Sequence, residues 1–96
     1  MLYLNADEIM QALSYREVMD CVEEALSIYE DGSYTMPERL PVPCGEENLL
    51  LLMPCVAGEH MVTKLVSVYP GNRARGKPVI DGMVVLYDRA TAEILG

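Results

Sequence analysis

The chain has 96 residues, 51% hydrophobic and 23% charged, with a formal net charge of -8. That is enough apolar sequence for the core of one domain, and it excludes a disordered acidic tail. Up to Glu47 eleven acids stand against Arg16 and Arg39, and beyond it four acids meet five bases, so a nucleic-acid binder's basic footprint is absent as a general feature.

Leu2 to Leu4 reads as a short strand. Asn5 with Glu8 three residues on has the pattern of a capping box, as has Ser14 with Glu17, so two helices are predicted in the first third. In the second, Val18, Val22, Ala25, Leu26 and Tyr29 recur at spacings of three and four, with Glu17, Asp20, Glu23, Glu24 and Asp31 mostly on the other face. This amphipathic helix is expected to close near Gly32. Its acidic face reads as solvated, and Cys21 beside the stripe as a small core residue. Pro37, Pro41 and Pro43 favour extended chain from Met36 to Cys44 that pairs only along part of its length.

Leu49 to Met53 is apolar on both faces if it is a strand, and such a strand needs two covers. The amphipathic helix supplies one. A second subunit or a further domain is expected to supply the other. His60 to Tyr69 alternates, placing Lys64 in line with Val62, Val66 and Val68. Two readings of Lys64 stand: a lysine whose stem covers apolar surface, or an ammonium at the mouth of a pocket that receives a carboxylate or moves a proton. Val79 to Tyr87, a turn at Asp88–Thr91 and a strand start at Glu93 to Leu95 suggest a last hairpin.

Gly71-Asn72-Arg73-Ala74-Arg75-Gly76-Lys77 meets the first seven places of a phosphate-binding G-x-x-x-x-G-K loop. The eighth holds Pro78, where a hydroxyl should reach magnesium, and β-rich sequence follows where a helix should begin. A basic surface loop between strands is the better reading. Cys21, Cys44 and Cys55 are odd in number and lack CxxC spacing, which argues against a disulfide framework or a zinc site and for a reducing, cytoplasmic setting. The first residues carry no basic leader, and no apolar run approaches the ~18 residues of a membrane span.

The order of blocks is more informative than any one motif. A helix pair is followed by Met36-Pro37-Glu38-Arg39, Leu51-Leu52-Met53-Pro54, Thr63-Lys64-Leu65-Val66-Ser67-Val68-Tyr69-Pro70-Gly71-Asn72, Gly76-Lys77-Pro78 and Val84-Val85-Leu86-Tyr87-Asp88. This order resembles the N-terminal part of the ornithine cyclodeaminase/mu-crystallin family, from Met1 to the end. The resemblance implies an NAD(P)-dependent enzyme of amino and imino acids that joins a Rossmann domain to a substrate-binding and dimerisation domain. It also implies that Arg39 grips the substrate carboxylate, that Lys64 contacts the same region and assists proton transfer, and that Met53 lines the pocket. Those residue types suit the task, since a planar guanidinium binds a carboxylate bidentately and an ammonium adds a second charge able to exchange a proton.

The expected fold is therefore α+β, two N-terminal helices packed on a mostly antiparallel or mixed sheet, with residues 1–96 forming an incomplete substrate-binding and dimerisation domain. No G-x-G-x-x-G is present. The family's further carboxylate-binding arginine and its catalytic aspartate have no counterpart in these residues. Where the family has a T-G-E turn, this chain has Thr91-Ala92-Glu93.

The leading functional expectation is an N-terminal segment of an enzyme converting ornithine to proline and ammonia. It would be inactive by itself and bind neither NAD, NADP nor metal. A ketimine reductase or alanine dehydrogenase segment and a non-catalytic interaction module are the alternatives. The expected partners are a small amino or imino acid and a second subunit, with neither nucleic acid nor membrane.

Overall fold

The computed structural model describes residues 1–96. Both predicted helix starts are formed. Asn5 Oδ1 accepts the Glu8 amide at 2.9 Å while Glu8 returns a carboxylate to the Asn5 amide at 2.8 Å, opening α1 at Ala6–Ala12. Ser14 and Glu17 repeat the exchange at 3.2 and 2.7 Å and open α2 at Tyr15–Asp31. Each box satisfies two amides that the first turn would leave unpaired. Gly32, at φ 70°, closes α2; its amide bonds to the Tyr29 carbonyl and that of Ser33 to the Ile28 carbonyl, both at 3.3 Å.

The remainder is one sheet in which every ladder is antiparallel: β1 Tyr34–Thr35, β2 Leu40–Pro43, β3 Leu49–Ala57, β4 His60–Val68 and β5 Ile80–Asp88. The path runs β1-β3-β4-β5, with β2 on the same edge of β3 as β1. Thr35 pairs with Val56 and Leu40 with Leu52. Met36–Arg39 therefore lifts away opposite Met53, Pro54 and Cys55, with one residue more than its partner segment. Pro37 and Pro54, neither with an N–H to give, lie on the two sides of this gap.

β3 thus continues through Pro54 to Ala57, past the Met53 end expected from composition. A two-residue turn with Gly58 at φ 56° joins it to β4. A six-residue 3-10 turn, Pro70–Arg75, joins β4 to β5. Gly82 on β5 pairs with Val66; a Cβ there would meet the Leu65 carbonyl oxygen at 2.5 Å, so only glycine fits. The expected first strand, Leu2–Leu4, is not formed as a strand. The Leu2 amide instead donates to the Leu95 carbonyl at 2.8 Å, and the last segment makes one bridge, Ile94 to Tyr87.

Packing is where the structure departs most from expectation. α2 does not cover the sheet; its clearest approach is Tyr29 stacked on Tyr34 of β1, ring centroids 5.6 Å apart. Val66 alone is buried, at 8% exposure. The surface is 8013 Å², against about 5,500 Å² for a compact chain of this length. The radius of gyration is 15.6 Å, against about 12.5 Å. The α+β elements are all present, but both sheet faces and the apolar side of α2 stay open.

Candidate functional site

Antiparallel register decides which side chains share a face, because opposed residues point the same way and successive ones alternate. Met53 pairs with Lys64, and Lys64 with Val84. Cys55, Val62 and Leu86 form the next row on that face in one direction, and Leu51, Val66 and Gly82 in the other. Lys64 therefore stands exposed beside half-buried Met53 and Val62 and buried Val66, in line with the three valines as its periodicity predicts.

Arg39 immediately precedes Leu40, whose partner is Leu52. Arg39 is the last residue of the segment that leaves the ladder, one position before the Leu40–Leu52 pair, and so adjoins the row of Met53 and Lys64 without pairing in it. Of the three residues singled out in the sequence, Met53 and Lys64 pair directly, and Arg39 lies outside the ladder at the end of the Met36–Arg39 gap.

The glycine-rich segment is organised differently from a phosphate loop. Asn72 donates its amide to the Tyr69 carbonyl at 3.0 Å, Gly76 to Arg73 at 3.3 Å and Lys77 to Asn72 at 3.0 Å, so the amides that should cradle a phosphate are engaged within the turn. The Asn72 side chain also donates to the Pro78 carbonyl at 3.0 Å, and β5 follows. Beside this turn lies a polar cleft of about 340 Å³ lined by Glu46, Glu47, Asn48, Tyr69, Asn72 and Arg75. At its edge a hydrogen bond with Cys44 raises the Tyr69 hydroxyl above its usual range. Sequence reasoning missed this cleft, because its two halves come from separate loops.

At the opposite end of the sheet Asp88 Oδ1 accepts the amides of Ala90 at 2.8 Å and Thr91 at 3.0 Å. These bonds, the Thr91 one foremost, hold its carboxyl below the usual range, with a small contribution from His60, its cross-strand partner. Arg89 ties the same corner to the β3–β4 turn through Nη1 to the Gly58 carbonyl at 3.1 Å.

The sequence pattern of the ornithine cyclodeaminase/mu-crystallin family matches residues 1–95, and the chain belongs to that family. It is 38% identical over 90 residues to the Δ1-pyrroline-2-carboxylate/Δ1-piperideine-2-carboxylate reductase of Azospirillum brasilense, covering 94% of this chain and 29% of that protein. The structure of Thermococcus litoralis Δ1-pyrroline-2-carboxylate reductase with NADH and L-proline is similar at a TM-score of 0.90 and 28% identity, over 99% of this chain and 30% of that one. An archaeal alanine dehydrogenase dimer with bound NAD gives 0.88 and 29%, over 96% and 28%. The chain spans less than a third of the length of these relatives.

Residues 1–96 contain no Rossmann arrangement. All ladders are antiparallel, and no strand runs through a glycine-rich turn into the N-terminus of a helix, the arrangement that holds a pyrophosphate. No helix is long and apolar enough to cross a membrane.

Proposed function

We propose that residues 1–96 form the carboxylate-holding part of an NAD(P)-dependent reductase of cyclic imino acids, the pyrroline-2-carboxylate class. Arg39 binds the substrate carboxylate bidentately. Lys64 binds its second side and supplies or accepts a proton near the reacting carbon, and Met53 with Val84 bounds the ring. The observation that carries this reading is the row on which Met53, Lys64 and Val84 pair, with Arg39 one residue outside the neighbouring Leu40–Leu52 pair. The Azospirillum and Thermococcus relatives, both reductases by name, favour an imine over ornithine as the substrate. Cyclodeamination of ornithine would use the same grip on the carboxylate and is the second reading, supported by the family alone. We further propose a homodimer, the archaeal alanine dehydrogenase being a dimer, with hydride transfer at a dinucleotide site outside these residues.

The test follows amide shifts of the 96-residue chain by NMR during titration with L-proline and, separately, L-prolinamide. Shifts should move around Arg39, Met53 and Lys64 with proline, and not with the uncharged amide. Replacing Lys64→Met should abolish them. Equal responses to proline and prolinamide, or shifts confined to the polar cleft at Tyr69, would refute the assignment.

A further inference from the structure

Along the edge that β3 turns to β1 and β2, pairing is interrupted. Ala57 and Val56 pair with Tyr34 and Thr35 of β1, and Leu52 back to Leu49 pair with Leu40 to Pro43 of β2. Met53, Pro54 and Cys55 have no ladder partner on that edge, where the segment ending at Arg39 has left the sheet. Strand alternation separates these three: Pro54 shares the face of Leu52, while Met53 and Cys55 share the face of Lys64. Cys55 is therefore the one side chain besides Met53 that lies on the Lys64 face within the interrupted stretch.

The neighbouring positions on this face are already engaged. Towards Leu49, Leu51 has Pro41 as its edge partner. In the same row Val66 Cγ2 lies 3.3 Å from the place that a Cβ on Gly82 would take, so Val66 occupies the space beside that glycine. Beyond Cys55, Ala57 is held by Tyr34 of β1. Cys55 itself is half-buried and pairs with Val62, which makes it the diagonal neighbour of Lys64, about 7 Å away. After four leucines and a methionine, β3 carries a short side chain at this point.

We infer that Cys55 bounds the substrate ring beyond Met53, and that the shortness of its side chain sets the ring size the site accepts. This deepens the proposed function and rests on it: a carboxylate held by Arg39 and Lys64 leaves the ring over Met53, and Cys55 is the next side chain along that face. Its thiol takes no part in the chemistry. Its volume matters, because one methylene group in an apolar pocket changes discrimination by about tenfold or more.

Two measurements on the 96-residue chain test this. In the first, neutral iodoacetamide alkylates the cysteines and peptide masses report each site, with exposed Cys21 as the internal reference. L-Proline at ten times its Kd should slow alkylation of Cys55 about tenfold and leave Cys21 unchanged, and L-prolinamide should protect neither. In the second, amide-shift titrations give the Kd of L-proline and of L-pipecolate, its six-membered homologue. Cys55→Leu should weaken pipecolate at least about tenfold more than proline, and Cys55→Ala should retain proline binding. Proline shifts around Lys64 with Cys55 unprotected would overturn the inference and leave the carboxylate assignment standing. So would an unchanged ring preference in a folded Cys55→Leu variant, or loss of proline binding in Cys55→Ala. Absence of proline shifts around Arg39 and Lys64 would remove both readings. If Cys55→Leu does not fold, alkylation of the wild-type chain decides alone.

Discussion

Ala92 is the only non-glycine residue with a positive φ, at 60°, and it stands where the T-G-E turn of the family has glycine. The conformation is held by the hydrogen bond from the Ala92 amide to the Asp88 carbonyl at 2.9 Å. A Cβ crowds the backbone there, and glycine adopts the same φ without that crowding. Ala92→Gly should raise stability by about 1 kcal/mol despite the extra freedom glycine brings to the unfolded chain, read as an increase in the urea midpoint at unchanged slope. An unchanged or lower midpoint would mean that the turn is not under strain. Lys64 illustrates the opposite case, a residue whose place was legible from the chain. Strict alternation from His60 to Val68 set its face, and only the identity of its cross-strand neighbours, Met53 and Val84, needed the register.

The elements show why some boundaries were readable and others were not. Helix starts depend on side chains within four residues, so Asn5–Glu8 and Ser14–Glu17 announce them locally. The extent of β3 depends on what lies beside it. Pro54 argues against a central strand, and it is accommodated because the facing segment Met36–Arg39 has already lifted away. The Leu2–Leu4 strand failed for the converse reason, since its apolar residues find one hydrogen bond at Leu95 rather than a ladder.

The corner after β5 is likewise built by partners, the two amides on Asp88, and it carries a pH dependence. Because those bonds hold the folded carboxyl below its ordinary value near 3.8, the corner gains stability that is complete above that value and lost as pH falls through the lower folded one. Wild-type stability should therefore drop more steeply below about pH 4 than that of Asp88→Asn, which keeps an acceptor oxygen and has no charge to lose. Identical acid profiles for the two proteins, followed by thermal melts from pH 6 to pH 2.5, would contradict the assignment.

At the scale of the whole molecule, the two faces of the sheet divide the work. One carries the row of Met53, Lys64 and Val84. The other carries Leu40, Leu52, Leu65 and Met83 as an unbroken apolar row across four strands, with Leu40 and Met83 56% and 50% exposed. The excess of about 2,500 Å² over a compact chain is larger than the roughly 800 Å² that each partner contributes to a stable interface, so there is area for a subunit contact. Under the proposed function the Lys64 face stays open to substrate, which assigns the Leu52 and Leu65 face to the second copy; hydrophobic burial without buried charge favours it. The chain should therefore sediment as a dimer at high micromolar concentration. Leu40→Lys with Met83→Lys, both at exposed ends of the row, should return it to a monomer while leaving the proline-dependent shifts around Lys64 in place. A wild-type chain that stays monomeric would place the second cover of β3 in another polypeptide segment. Loss of both dimer and proline response in the double variant would show that the two faces are not independent, as the alternation of the strands requires them to be.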